Sequence, residues 1–208
     1  MQHWFVVHRD NPQARLLRQA ANIIKNGGIV VYPTDSGYAI GCGLGQKDAV
    51  MRIRKIRQME QRQCMSLICK DLANLGEYAT VSTPVYRMLK AFTPGAYTFI
   101  LKASPELPKM MYHPTRKTLG LRIPKHSVAE NLLEILEGPL MSTTLRLPGV
   151  DYSLSEPQAI VDLLGKQVDL IIDVGHCDIE PTSVIDLTEN FPKIIRVGKG
   201  DVTPFQSF

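Results

Sequence analysis

Residues 11–40 read NPQARLLRQAANIIKNGGIVVYPTDSGYAI, and the fold class follows from this stretch. Leu16, Leu17, Ala20, Ala21, Ile23 and Ile24 recur at the three- and four-residue intervals of one helix face, which predicts a helix over 11–26. Gly27-Gly28 closes it, because glycine accepts the left-handed backbone that ends helices. The period then changes. Residues 29–32 are apolar without interruption, as a strand buried on both faces requires, and 33–37 read as a loop. A helix feeding directly into a buried strand is the repeating step of a layered α/β domain.

Outward from this stretch the alternation continues. Residues 47–59 place Val50, Ile53, Ile56 and Met59 at near-helical spacing beneath a basic surface. Strands are expected at 65–69, 97–102, 118–123 and 140–143, with helices at 84–92, 127–137 and 157–164; further strands follow at 170–174, 183–186 and 193–197. No internal repeat or low-complexity tract interrupts the pattern. With 208 residues and 44 % apolar content the chain can bury a substantial core, so one domain over residues 1–208, a mixed sheet with flanking helices, is expected.

Charge narrows the partners only slightly: 24 basic against 20 acidic residues leave +4, a modest bias toward anions. No window approaches the roughly 18 apolar residues of a membrane span, and the first residues do not read as a leader, so a cytoplasmic protein without a membrane role is expected. Cys42, Cys64, Cys69 and Cys177 form no CxxC pair, and the five histidines show no ligand spacing beside them. Free thiols and no metal site are expected.

Several short motifs could carry chemistry. Arg52, Arg54, Lys55 and Arg57 fall within six residues and could neutralise phosphates, with a solvated helix face as the alternative. Lys55 and Arg57 point about 200° apart on an ideal helix, so they share a ligand only if the helix ends near Gln58. The run Gly41-Cys42-Gly43-Leu44-Gly45 is a glycine turn for phosphate or a packing bend; it matches neither GxGxxG nor a P-loop. Ser142, Thr143 and Thr144 end a strand, where hydroxyls line a crevice or cap a turn. Arg122 precedes Ile123-Pro124, a context that pins its backbone for a ligand or an ion pair. His113 and His126 lack a nucleophile partner, and Asp35 alone does not define a magnesium site, so no catalytic residue is assigned.

Read in order, these segments resemble the YrdC/YciO family. Residues 33–41, PTDSGYAIG, are similar to its opening motif, Lys55-Ile56-Arg57 to its KxR element, and residues 92–98, FTPGAYT, to its FxPGPxT segment. Residues 121–126, LRIPKH, resemble VRxPxH; PLMSTT at 139–144, TSVID at 182–186 and Arg196-Val197-Gly198 complete the pattern. The PTDSGYA form and Leu147-Pro148-Gly149 resemble the YciO branch most.

The resemblance implies a YrdC/RibB-like twisted mixed sheet with a basic concave cavity. It implies a nucleotidyltransferase, L-threonylcarbamoyladenylate synthase, which joins ATP, bicarbonate and L-threonine with Mg2+ and releases pyrophosphate for tRNA modification. By motif match, Lys55, Arg57, Ser142, Thr144 and Arg196 would hold the nucleotide. Thr34, Tyr38, Arg122 and Thr182 or Ser183 would form the substrate pocket. The basic residues Arg52, Arg54, Arg62, Arg116 and Lys117 exceed what a nucleotide needs and are expected to contact tRNA or double-stranded RNA through phosphates.

Three departures stand out. Thr144-Leu145-Arg146 replaces Ser-x-Asn, Lys70 replaces a substrate-side histidine, and Gln58 stands where the family has proline. An amide exchanged for a guanidinium adds charge and reach. Three alternatives follow: an active synthase, a nucleotide- and RNA-binding protein without that activity, or an enzyme using the same cavity on another substrate.

Overall fold

A computed structural model describes residues 3–60, 63–105, 107, 112–149, 154–189 and 191–206. The chain opens with strand β1 (His3–Val6), helix α1 (Ala14–Lys25) and the hairpin β2 (Val30–Thr34) and β3 (Gly37–Gly43). Helix α2 (Lys47–Ile56), β4 (Ser66–Ile68), α3 (Leu72–Gly76), β5 (Ala79–Thr80) and α4 (Thr83–Phe92) follow. Next come β6 (Tyr97–Ala103), β7 (Thr118–Arg122), α5 (Ser127–Leu136), β8 (Leu140–Thr144) and α6 (Pro157–Leu164). Strands β9 (Leu170–Asp173), β10 (Ser183–Asp186) and β11 (Lys193–Arg196) end the sheet, and a 3-10 turn, Thr203–Phe205, closes the chain.

The strands form one mixed sheet in the order β1, β9, β2, β3, β8, β4, β7, β6, β10, β11, with β5 also paired to β6. Parallel and antiparallel neighbours alternate irregularly, which is why helices and hairpins both serve as connections. The β2–β3 turn is tighter than the loop expected over 33–37. Only Asp35 and Ser36 lie outside the strands, and Gly37 takes φ +110°, where a side chain would meet the Asp178 carbonyl.

Strand alternation sorts the side chains between two faces. On one face Val31, Ile40, Leu67, Phe99, Leu121 and Met141 join residues of α2, α4 and α6 and the terminal Phe205 in the larger core. On the other, Leu17, Ala21 and Ile24 of α1 and Val128, Leu132 and Leu133 of α5 pack on Val30, Tyr32 and Ile172. This second helical layer sits toward β9 and β2. Beyond it, the same face over β8, β4, β7, β6 and β10 carries small and polar residues and opens into a cavity. Among the described residues no helix is long and apolar enough to cross a membrane.

Candidate functional site

Register builds the cavity floor. Gly41 pairs with Ser142, Ser142 with Ser66, Ser66 with Gly120, and Gly120 with Ile100, so one row of mostly small residues crosses five strands. Each is the alternate of an apolar core residue: Leu67 beside Ser66, and Leu119 and Leu121 around Gly120. Small size is a packing requirement at two of them. A Cβ on Gly120 would stand 2.8 Å from Ser66 Oγ, and one on Gly41 would stand 3.3 Å from the Tyr32 ring. That ring's hydroxyl donates to Ser142 Oγ at 2.8 Å, and Ser142 Oγ donates to the Ile40 carbonyl at 3.1 Å. Burial pushes the Tyr32 phenol up to about 12, so it stays a donor.

The walls follow from the next row. Thr98 lies opposite Arg122, one residue beyond the Phe99–Leu121 pair; Thr98 pairs with Val184, and Val184 with Arg196. The two arginines therefore face one another across two intervening strands. The cavity they bound, with Ala39, Cys64, Ser66, Thr98, Ser142, Thr144 and Thr182 among its other walls, measures about 260 Å3.

Each arginine is held from behind. Arg122, 6 % exposed, gives Nη2 to Asp35 Oδ1 and reaches Thr34 Oγ1 at 3.4 Å, while its buried Nε has no partner. Asp35 Oδ2 also accepts from the Lys125 amide at 3.1 Å. Arg196 donates from Nε and Nη2 to the Thr182 carbonyl at 3.0 and 2.7 Å, and from Nη2 to Thr182 Oγ1 at 3.1 Å. Thr182 Oγ1 in turn shares a hydrogen with Thr98 Oγ1 at 2.9 Å. Burial lowers the Arg196 pKa and the Arg122 charge adds to that, as expected of two cations close together.

Helix α2 ends where a shared role for the KxR element needs it to. Arg57 is the C-cap and Gln58 takes φ +46° in place of the missing proline. Arg57 Nη1 then donates to the Arg146 carbonyl, just after β8, which ties the helix end to the segment that replaces Ser-x-Asn. Burial and the nearby Arg146 cation both lower the Arg57 pKa.

The structure thus brings Arg122, Ser142, Thr144, Thr182 and Arg196 to one cavity. Thr34 lines a neighbouring cavity of about 450 Å3 with Asp35, and the Arg122–Asp35 pair forms the partition. Other expectations need correction. Neither Lys55, exposed on α2, nor Arg57, tied to the Arg146 carbonyl at the helix end, is a wall of either cavity. Tyr38 belongs to the opposite face: it is fully buried in the larger core, donates to the Gly175 carbonyl at 2.8 Å and accepts from the Val174 amide at 3.1 Å. Ser183, next to Thr182 but one pleat away, donates to the Gly200 carbonyl and accepts from the Gly198 amide at 2.9 Å. Gly41 and Gly43 lie within β3 and do not form a phosphate turn. Lys70 pairs with Glu134 on a separate surface cavity and is a wall of neither cavity described above.

The cations expected to meet RNA do not share a face. Arg52 pairs with Asp169 at 3.0 Å on one side of α2, whereas Arg54 donates to the Gln63 and Glu60 carbonyls on another. Arg54 and Arg116 both act electrostatically on Cys64, a cavity wall, opposing the rise that burial gives its thiol. Lys117 takes φ +53° in the turn before β7, and Arg62 lies outside the described residues. Sequence reasoning missed Ser66, Thr98 and Gly120, although a small or polar residue at every second position of an apolar strand was the available signal.

The donor set fits no protein-held magnesium. Among the described residues the cavity wall has no carboxylate, and no three acidic, histidine or cysteine groups cluster anywhere.

The comparisons agree with this architecture. The family model Sua5_yciO_yrdC, described as telomere recombination, matches residues 22–198. The chain is 48 % identical to the "Uncharacterized protein YciO" of Escherichia coli strain K12 over 205 residues, 99 % of this chain and 100 % of that one. The crystal structure of E. coli YciO superposes with a TM-score of 0.95 over 99 % of this chain and 100 % of that one. P. abyssi Sua5, crystallised with L-threonine, is 25 % identical with a TM-score of 0.85, covering 93 % of this chain and 57 % of that one. A Methanocaldococcus jannaschii protein provisionally named a threonylcarbamoyl-AMP synthase is 29 % identical over 184 residues, 88 % of this chain and 84 % of that one. A mixed sheet with an open, arginine-walled face and a family match that spans most of the sequence lead to one conclusion: the chain belongs to the Sua5/YciO/YrdC family.

Proposed function

We propose that the chain makes an acyl adenylate in this cavity: L-threonylcarbamoyladenylate, from ATP, bicarbonate and L-threonine. The observation that carries the reading is the opposition of Arg122 and Arg196 across a floor of hydroxyls. The threonine amine attacks bicarbonate and water leaves, giving a carbamate. A carbamate oxygen then attacks the α-phosphorus of ATP, and pyrophosphate leaves with the bond's electron pair. Both reactants are anions, so the protein's task is to hold them together against repulsion, not to supply a nucleophile. Arg122 and Thr182 hold the carbamate. Ser142, Thr144 and Arg57 hold the nucleotide toward β8. Magnesium enters on the ATP phosphates as part of that substrate, and no step is routed through the ion.

Pyrophosphate release measured with and without L-threonine and bicarbonate tests the reading. Release that needs both, and is lost in Arg122→Ala, is expected; ATP binding without any release contradicts it. The adenylate serves tRNA modification, with Arg54 and Arg116, which act on Cys64 at the cavity wall, and Lys117, next to Arg116 in sequence, as the RNA contacts. Anisotropy of labelled tRNA across a salt series should show affinity falling as salt rises, and no detectable complex would reject that contact.

A further inference from the structure

The sheet has two edges, and they are finished differently. At one, β11 follows Pro192, carries Lys193 and meets β10 through a register shift between Val184 and Ile185. Proline, lysine and a bulge are devices that keep an edge strand from accepting another strand. At the other edge, β1 reads His3-Trp4-Phe5-Val6, with no Lys, Arg, Asp, Glu or Pro and an unshifted parallel register against β9. Neither is it covered: Trp4 is 44 % exposed and Val6 68 %.

The main chain defines how much of that edge is open. The His3 and Val7 amides donate to the Asp169 and Asp173 carbonyls, so residues 3, 5 and 7 turn their main chain toward β9, and Trp4 and Val6 turn theirs outward. The next outward amide, that of His8, is taken by Gln13 Oε1 at 3.2 Å. Among the described residues the open run is therefore Trp4 and Val6, placed evenly about Phe5. Trp4 is also prepared for contact. Its Nε1 donates to Asp173 Oδ2 at 3.0 Å, which satisfies its polar atom and fixes the ring while leaving much of its apolar surface uncovered.

We propose that β1 is a self-pairing edge, where a second copy of this chain adds its own β1 antiparallel about a two-fold axis through Phe5. Self-complementarity selects this occupant. In that register Trp4 of each copy exchanges both main-chain hydrogen bonds with Val6 of the other, so the open residues of the two copies close one another. The axis stands perpendicular to the sheet and keeps its faces, which puts each indole beside the valine of the other copy, an aromatic–β-branched pair that antiparallel strands favour. Area sets the strength: 44 % of an indole with roughly 250 Å2 to bury is about 110 Å2, and Val6 adds a similar amount. With its main chain the edge still covers well under the roughly 800 Å2 a side of a stable complex, so the dimer is reversible and concentration-dependent. Strand β7 lies six positions from β1 in the sheet order, and pairing leaves each arginine-walled cavity uncovered.

Sedimentation velocity on the full chain, from about 5 μM to about 500 μM, should show the weight-average mass rising from one chain toward two. Val6→Pro removes an outward amide without touching the bonds to β9, and Val6→Lys puts a charge on the edge. Each should stay at one chain across the range, with a thermal midpoint at the lowest concentration close to that of the parent, which guards against a folding defect. Register is read by oxidative cross-linking in a Cys64→Ser background. Phe5→Cys stands opposite its own copy at about 4.5 Å between Cα atoms, within disulfide reach, and should give a covalent dimer, whereas Trp4→Cys, opposite Val6, should not. A mass that stays at one chain to the top of the range, a dimer that survives both Val6 variants, or cross-linking through Trp4→Cys in preference to Phe5→Cys would each overturn the proposal.

Discussion

Removing Asp35 should cost more than removing any single contact elsewhere on the site face. Its side chain is 12 % exposed and that of Arg122 7 % exposed, so Asp35→Ala leaves a guanidinium largely out of water. Among the described residues Nε already lacks a partner, and only Thr34 Oγ1 at 3.4 Å would remain. The Lys125 amide loses its acceptor as well. Breaking a buried ion pair from one side costs about 3–5 kcal/mol. Because the pair divides two cavities that admit water, the lower end, about 3 kcal/mol, is expected here. With a urea m value of about 3 kcal/mol/M, the unfolding midpoint should fall by about 1 M. The double variant Asp35→Ala/Arg122→Met removes both charges and should regain most of that loss, because an apolar side chain of similar volume needs no counter-ion. A fall below about 1 kcal/mol in Asp35→Ala, with no recovery in the double variant, would refute a desolvated partition and show Arg122 to be hydrated.

Three further outcomes can be checked with the same preparations. Tyr38→Phe should lower stability by about 1 kcal/mol, since it removes the part-buried hydrogen bonds to the Gly175 carbonyl and Val174 amide, yet leave ATP affinity unchanged; a selective loss of binding would return Tyr38 to the site. Gly120→Val should fill the floor above Ser66 and Thr98 and weaken ATP by about tenfold or more, whereas undiminished ATP binding would place the nucleotide off the floor. His126 caps α5 by accepting from the Val128 amide through Nδ1, which requires the neutral ring, and burial, reinforced by the Arg9 charge, lowers its pKa below 6.5. Protons therefore favour the unfolded chain: the stability from this group is complete above 6.5 and is lost as pH falls through and below that value. His126→Asn keeps a cap acceptor and should flatten this part of the stability profile; an unaltered slope would assign it to other groups.

Long, regular periodicity was legible and short, partner-dependent structure was not. Helix α6 and strand β10 match their expected bounds because Pro157 opens one and alternation marks the other. Strand β1, although Trp4, Phe5 and Val6 favour an extended chain, is only four residues long and is fixed by parallel pairing with β9 from the far end of the chain. Helix α3 and strand β5 are too short for a period to develop. At the site, Arg122, Ser142, Thr144, Thr182 and Arg196 were legible as motif residues. Tyr38 and Ser183 were not separable from their neighbours, because a motif spans consecutive residues whereas a strand sends alternate ones to opposite faces. Asp35's grip on Arg122 could be seen only after the β2–β3 turn was brought against the end of β7.

The location of the nucleotide is the central claim, and the chain carries its own reporter. Cys64 is exposed at the cavity wall, while Cys42, Cys69 and Cys177 are buried, with burial raising each thiol's pKa and that of Cys42 to about 12. Iodoacetamide should therefore modify Cys64 first, at a rate read by intact-protein mass spectrometry. With ATP at ten times its dissociation constant, the unoccupied fraction falls to about one in eleven, and Cys64 alkylation should slow about tenfold. An unchanged rate at a concentration where calorimetry shows ATP bound would put the nucleotide elsewhere on the protein and contradict the account.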